Sequence, residues 1–128
     1  MSYSQPSRYR EMEVLAMQPA QRVVLLYSHL LVLLRQARRH LERGEIEQRG
    51  ERLFRAEEIV RELQVSLNHD AGGELAGGLA NLYSWMLGEF AGVHAHPDLG
   101  RLDAVTKIVT ELHEAWQGAA EQVLGHPV

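Results

Sequence analysis

Apolar residues recur at spacings of three and four over four long segments of the chain, which is the period of amphipathic helices. The segments run from about Pro19 to Arg43, from Glu45 to Asn68, from Gly73 to His94 and from Asp98 to Leu124. Each would be roughly 35–40 Å long at 1.5 Å per residue. Because the connections between them are short, the segments should fold back on one another. The sequence therefore predicts an all-α fold, an antiparallel four-helix bundle.

Each segment carries one continuous apolar seam, and we expect the four seams to meet in the core. The seam positions are Val23, Tyr27, Leu30, Leu34, Ala37 and Leu41; Leu53, Ala56, Val60, Leu63 and Leu67; Leu75, Leu79, Leu82, Met86 and Phe90; and Leu102, Val105, Val109, Leu112, Trp116, Ala119 and Val123. Pro19 suits a first helical turn, and Gly44 suits a left-handed helix stop. The seams and their punctuation therefore indicate the same four helices.

Two features exceed what a simple bundle needs. The first segment is apolar on almost every side from Val23 to Leu34, so it is either a central helix or one face of an apolar groove. The third segment contains five glycines, each of which costs about 1 kcal/mol relative to Ala inside a helix. They are Gly73, Gly77, Gly78, Gly88 and Gly92. Close helix contact and close approach by another backbone are both open interpretations.

Composition excludes several classes of protein. The chain has no cysteine, so it has neither disulfides nor thiolate metal sites. Its net charge is −4, and the eleven arginines of residues 1–64 are interleaved with nine glutamates, which disfavours a nucleic-acid binder. No signal peptide is recognisable, and the longest apolar stretch, residues 23–34, is too short to span a bilayer. We expect a cytoplasmic protein without membrane insertion.

The sequence predicts no catalytic, cofactor-binding or metal-binding residues. Seven histidines invite a metal hypothesis, but none has Glu three residues before it, as di-iron bundles require. The glycine-rich stretch around Gly72-Gly73 and Gly77-Gly78 lacks the Lys and hydroxyl of a phosphate-binding loop. His94 and His96 flank a turn, and we interpret them as part of a polar loop. The chain is therefore predicted not to be an enzyme.

An ordered set of short motifs resembles one family over roughly residues 9–118. The set consists of Tyr9 followed by Val14; Pro19 and then Leu26-Tyr27; Arg43-Gly44-Glu45; Arg49-Gly50-Glu51-Arg52-Leu53 with Ala56; Leu67-Asn68; Gly72-Gly73-Glu74-Leu75-Ala76; Asn81-Leu82-Tyr83; and Trp116. In this order they resemble the flagellin-specific secretion chaperones of the FliS family. Gln18, Ser28, Ser84, Gly78 and Trp85 depart from the family's usual residues, which affects polar detail rather than the fold.

The resemblance implies a chaperone of the bacterial cytosol that binds the disordered C-terminal segment of flagellin. It would prevent premature polymerisation and deliver flagellin to the flagellar type III export gate. An amphipathic segment that folds on its partner needs a long apolar groove, which the surplus apolar residues of the first helix could line. The residues expected to line this groove are Val24, Tyr27, Leu31, Leu34, Leu79, Leu82, Tyr83 and Met86.

The resemblance also divides the chain into an N-terminal arm, residues 1–18, and a four-helix bundle, residues 19–126. In the family the arm covers part of the groove when no cargo is bound. Tyr9, Met12 and Val14 have the amphipathic spacing of such a plug, and the export gate would read the Tyr9 segment after its release. The arm is therefore expected to act both as a plug and as a gate contact.

Two other classes of function remain as alternatives. One is a dimeric helical scaffold or regulator without a role in secretion, whose apolar faces would pair with a second copy; the free chaperone could itself be a homodimer. The other is an RNA-binding bundle that uses the arginines of the first two helices. Those arginines lack interleaved aromatic residues, and neighbouring glutamates neutralise them, so RNA binding is the weaker alternative.

Overall fold

The structure, a computed structural model, describes residues 19–124. These residues form four α-helices: α1 (Pro19–Glu42), α2 (Ile46–Val65), α3 (His69–Ala95) and α4 (Leu99–Leu124). Consecutive helices run antiparallel, and the described residues contain no β-strand. Helix α1 packs most extensively against α4 and α2, whereas the contact between α3 and α4 is the least extensive of the four neighbouring pairs. The predicted all-α four-helix bundle is confirmed.

The core lies along the bundle axis and consists mostly of predicted seam residues. The fully buried large side chains are Tyr27, Tyr83, Phe90, Leu30, Leu33, Leu34, Leu53, Leu63, Met86, Leu102, Val60 and Val93. Leu31 and Leu33 are also buried, although they lie off the predicted seam of α1. Their burial supports the interpretation of α1 as a central helix. Leu25 and Val32, on its remaining side, are exposed.

Helix ends are fixed by local hydrogen bonds. Gly44 has φ +71°, and it closes α1 with two bonds, Gly44 N–H to the Leu41 carbonyl (3.2 Å) and Glu45 N–H to the His40 carbonyl (2.8 Å). This is a Schellman motif, which only a residue with positive φ completes. The predicted left-handed stop at Gly44 is therefore confirmed.

Helix α3 begins earlier than predicted, at His69 instead of Gly73. Asn68 supplies a cap, since its Oδ1 accepts a hydrogen bond from the Ala71 N–H at 3.0 Å. A single helical turn follows, and the chain then kinks at Gly73, where φ is +53° and ψ is −124°. The prediction placed the helix start at the kink because a Gly-Gly pair usually marks a boundary.

The seam predicted for α3 is also partly wrong. Leu75 is 65% exposed and Leu82 is half-buried, whereas the residues that directly follow them, Ala76 and Tyr83, are buried. The buried face is Ala76, Leu79, Tyr83, Met86, Phe90 and Val93. It keeps the spacing of three and four, but it includes a small residue and a tyrosine that a search for large aliphatic residues passes over.

Candidate functional site

An apolar cleft of about 260 Å³ opens at one end of the bundle. At this end α1 and α3 begin and α2 and α4 end, because the four helices alternate in direction. The lining residues are Val23, Leu63, Ser66, Leu67, Asn68, Ala71, Gly72, Leu75, Ala76, Leu79, Tyr83 and Trp116. All four helices therefore contribute to the cleft, and most of its wall is aliphatic or aromatic.

The first turn of α3 forms one wall of the cleft. Its position depends on the Asn68 cap and on the kink at Gly73, which redirects the chain before the main part of the helix. A Cβ on Gly72 would lie 2.8 Å from the Cβ of Ala76, so this turn approaches the next one too closely for a larger residue. Leu75 follows the kink and projects into solvent at the cleft.

The polar groups of the rim are already hydrogen-bonded within the chain. The Ser66 hydroxyl donates to the Leu63 carbonyl at 2.9 Å, and Asn68 caps α3 through its side-chain oxygen. Apart from these two residues and Tyr83, the lining residues are apolar or glycine. The cleft is therefore suited to apolar side chains, whose burial is worth about 25 cal/mol per Å².

A pair of tyrosines lies at the inner side of the cleft. The hydroxyls of Tyr27 on α1 and Tyr83 on α3 are hydrogen-bonded to each other across the core. Burial raises the pKa of Tyr27 above its ordinary value, and the hydrogen bond to Tyr83 raises it further. A hydrogen bond with the Trp116 side chain lowers the pKa of Tyr27 in part. Burial also raises the pKa of Tyr83, and its bond to Tyr27 opposes that rise. Both phenols therefore remain neutral in the folded protein.

The structure separates the predicted groove residues into two groups. Leu79 and Tyr83 line the cleft from its inner side, where only 7% and 1% of their surface is exposed, and Leu82 and Val24 are half-buried. The other four, Tyr27, Leu31, Leu34 and Met86, lie in the core with almost no exposed surface. In this conformation the core residues cannot line an open groove, because their side chains hold the helices of the bundle together. The predicted plug residues Tyr9, Met12 and Val14 lie outside the described residues.

Sequence reasoning did not assign several cleft residues to a site. Leu63, Leu67 and Trp116 were placed in the core seams, and Leu75 was placed there as well. The signal available was their position: each lies near a helix end at the same end of the bundle. Seam residues near helix ends lose a covering neighbour when the ends diverge.

Among residues 19–124, no group of three or more His, Cys, Asp or Glu side chains is arranged to hold a metal ion. Within the same range, no helix combines the length and the hydropathy that a membrane span requires. The charged side chains form ion pairs instead, some within one helix and some between helices. Arg38 on α1 donates two hydrogen bonds to Asp103 on α4, at 2.9 and 3.1 Å, and these bonds raise the pKa of Arg38.

Fold and cleft together place the chain among small antiparallel helical bundles that present an apolar surface at one end. A solved structure described as a flagellar chaperone from bacteria has the same fold, with a TM-score of 0.77, 22% identity, and coverage of 91% of this chain and 94% of its own. The family described as Flagellar protein FliS matches residues 2–123. The chain therefore belongs to the FliS family.

Characterised relatives carry the same family name. The flagellar secretion chaperone FliSB of Pseudomonas aeruginosa is 32% identical over 108 residues, which cover 84% of this chain and 86% of the relative. The flagellar secretion chaperone FliS of Bacillus subtilis is 27% identical over 113 residues, with coverage of 88% and 84%. That of Salmonella typhimurium is 29% identical over 108 residues, with coverage of 84% and 80%. These relatives are named chaperones, and no catalytic function is indicated.

Proposed function

We propose that this chain is an export chaperone of the bacterial cytosol that binds the disordered C-terminal segment of flagellin. It would keep that segment from polymerising early and deliver it to the flagellar type III export gate. The observation that supports this most directly is the apolar end cleft, with its internally bonded polar rim, in a member of the FliS family. The proposal involves no nucleic acid, no metal ion and no cofactor.

Binding would begin with apolar side chains of an amphipathic flagellin segment entering the cleft. A disordered segment must bury enough apolar surface to offset the cost of its own ordering. A cleft of about 260 Å³ holds only a few side chains, so it would act as an anchor. The segment would then extend from this anchor over half-buried neighbours such as Leu82 and Val24.

The N-terminal arm, residues 1–18, would cover the cleft when cargo is absent. Helix α1 begins at Pro19, and Val23, one turn later, lines the cleft. The arm therefore joins the bundle at the end where the cleft opens. Its apolar residues Tyr9, Met12 and Val14 would compete with flagellin, and their release would expose Tyr9 to the export gate. A homodimer of the free protein stays a prediction.

Titration of the protein with the last forty or so residues of flagellin tests the proposal. We expect one-to-one binding by calorimetry and a gain in helical circular dichroism as the peptide orders. Absence of both heat and added helicity at tens of micromolar would refute it.

A matched pair of substitutions tests the location. Leu75→Gln removes an exposed leucine of the cleft, and Phe54→Gln removes a phenylalanine of similar exposure, 62%, on α2 outside the cleft. Loss of one buried leucine is worth about 1.5–3 kcal/mol, so Leu75→Gln should weaken binding about tenfold or more. Phe54→Gln should change the affinity less than twofold. Equal losses would place the flagellin segment elsewhere.

A further inference from the structure

Arg49 is a buried cation without a partner. It lies on α2, one turn after the helix start, and only 5% of its surface is exposed. Among the described residues its side chain forms neither a hydrogen bond nor an ion pair, and its Nε is buried with no acceptor. The terminal nitrogens also lack partners but are not fully buried, so they reach the surface. The guanidinium is therefore held in place by packing, with its outer edge facing solvent.

Such an arrangement is costly for the fold. A buried charge is normally paired, because an unpaired one loses its hydration without compensation. Proteins that bury an arginine usually satisfy it with a carboxylate. The carboxylates close to Arg49 in the sequence are paired with other residues. Glu45 contacts His40 at 2.7 Å, and Glu51 contacts Arg52 at 3.3 Å. Neither pairs with Arg49.

The N-terminus of α2 adds further donors at the same place. Its N-cap residue Glu45 makes no side-chain capping bond, so the N–H groups of the first turn have no protein acceptor among the described residues. Side chains on a helix lean toward its N-terminus, so the Arg49 side chain runs back toward this first turn. Arg52, one turn further on, also has a buried Nε without an acceptor. The positive end of the helix dipole also favours an anion, and the carboxylate of Glu47 in the same turn offsets part of that attraction.

We propose that Arg49, together with Arg52 and the first turn of α2, is a docking site for carboxylate side chains of an acidic protein segment. A guanidinium edge at the surface matches a carboxylate through two parallel hydrogen bonds. The cleft described above does not extend to these residues, so a small molecule would gain few contacts here. A protein segment brings additional contacts of its own.

This site lies far from the apolar cleft. Arg49 and the cleft residue Leu63 are 14 positions apart on α2, or about 21 Å at 1.5 Å per residue. An acidic partner and an apolar segment can therefore occupy the bundle at the same time. The inference does not depend on the identity of the segment in the cleft.

The full-length protein, titrated with N-acetyl hexaglutamate amide, tests the proposal. Binding is followed by calorimetry and by the NMR signals of the arginine Nε–H groups. Arg49→Met keeps the apolar stem and removes the guanidinium, whereas Arg55→Met removes an equal charge from an exposed position of the same helix. We expect saturable binding that shifts the Arg49 signal, at least a tenfold loss in Arg49→Met, and less than a twofold loss in Arg55→Met.

Thermal melting separates a binding role from a structural one. Because Arg49 is buried without a partner, Arg49→Met should raise Tm by a few degrees while it removes binding. A lower Tm would show that Arg49 stabilises the fold, and this would overturn the proposal. Arg49→Lys, which keeps the charge but loses the two-pronged geometry, should also bind at least fivefold more weakly.

Three other outcomes would contradict the inference. Equal losses in Arg49→Met and Arg55→Met would indicate non-specific attraction. No saturation with hexaglutamate would exclude an acidic segment. Saturation by inorganic phosphate, with displacement of the peptide at equal ionic strength, would indicate a free-phosphate site in place of a protein docking site.

Discussion

The two tyrosines at the centre of the bundle satisfy each other's buried hydroxyl groups. A phenol that is removed from water must find a hydrogen-bond partner, and Tyr27 and Tyr83 find one in each other. The pair also connects α1 to α3, which lie diagonally opposite each other, since each of them packs mainly against α2 and α4. A single hydroxyl removed from this pair therefore leaves the other one buried without its partner.

Tyr27→Phe should destabilise the bundle by about 1–3 kcal/mol, because the Tyr83 hydroxyl loses its hydrogen bond while it stays buried. Urea denaturation at pH 7 measures the change. The double variant Tyr27→Phe/Tyr83→Phe is the control, and it should recover part of the loss because neither hydroxyl remains. A double variant that lost the sum of both single effects would contradict this account.

Stability should also fall in alkali. The pKa values of both tyrosines are raised in the folded protein, whereas the pKa of tyrosine in an unfolded chain is about 10. Above that pH the unfolded chain binds fewer protons than the folded one, so the free energy of unfolding decreases as pH rises. Urea midpoints between about pH 8 and 11 should show this decrease. The slope should be shallower in Tyr27→Phe, and identical slopes would be inconsistent with the assignment.

At the scale of the elements, α3 departs most from sequence expectation. The existence and type of all four helices followed from periodicity, and the stop at Gly44 followed from its turn chemistry. The start of α3 did not, because periodicity carries no information on whether a Gly-Gly pair ends a helix or bends it. The buried face of α3 differs from the predicted one for a related reason. The prediction favoured Leu75 over Ala76 because Leu is the more apolar residue, but in the packed bundle Ala76 is buried and Leu75 is exposed.

Two glycines of α3 should respond in opposite ways to alanine. Gly73→Ala places a side chain at φ +53° and ψ −124°, a region that is essentially restricted to glycine, and should cost about 1–3 kcal/mol. Gly77→Ala adds a methyl group, in ordinary helical geometry, where nothing beyond the adjoining residues and the backbone of its own helix lies within 4 Å, and should gain about 0.5–1 kcal/mol. Urea midpoints compare the two variants. A stabilising Gly73→Ala would show that the kink is not required.

At the scale of the whole molecule, the cleft lies where the α2–α3 connection and the start of α3 meet the start of α1 and Trp116 of α4. Of the residues expected to line a groove, Leu79 and Tyr83 form the buried inner wall of the cleft, whereas Tyr27 and Met86 lie in the core and are not among its lining residues. A repeat of three and four residues describes one helix face along its whole length. It does not describe where neighbouring helices separate, since that depends on the α2–α3 connection and the kink after it.

Deletion of residues 1–16 should preserve flagellin affinity or tighten it by up to about tenfold, because a plug that competes with cargo is removed. The same deletion should modestly destabilise the free bundle and impair delivery of flagellin to the export gate. Calorimetry with the flagellin peptide and a secretion assay measure the two effects. If the shortened protein stays folded but no longer binds flagellin, the arm belongs to the binding site and is not a plug.

Because α1 begins and α4 ends at the end of the bundle that holds the cleft, the start of α1 and the end of α4 are both natural points for tethering a ligand. A peptide joined after α4 by a short flexible linker would meet the cleft at an effective concentration in the millimolar range. Even a weakly binding segment would then occupy the cleft almost completely, within a single chain and independently of dilution. The same proximity means that an affinity tag at either end competes for space with whatever enters the cleft.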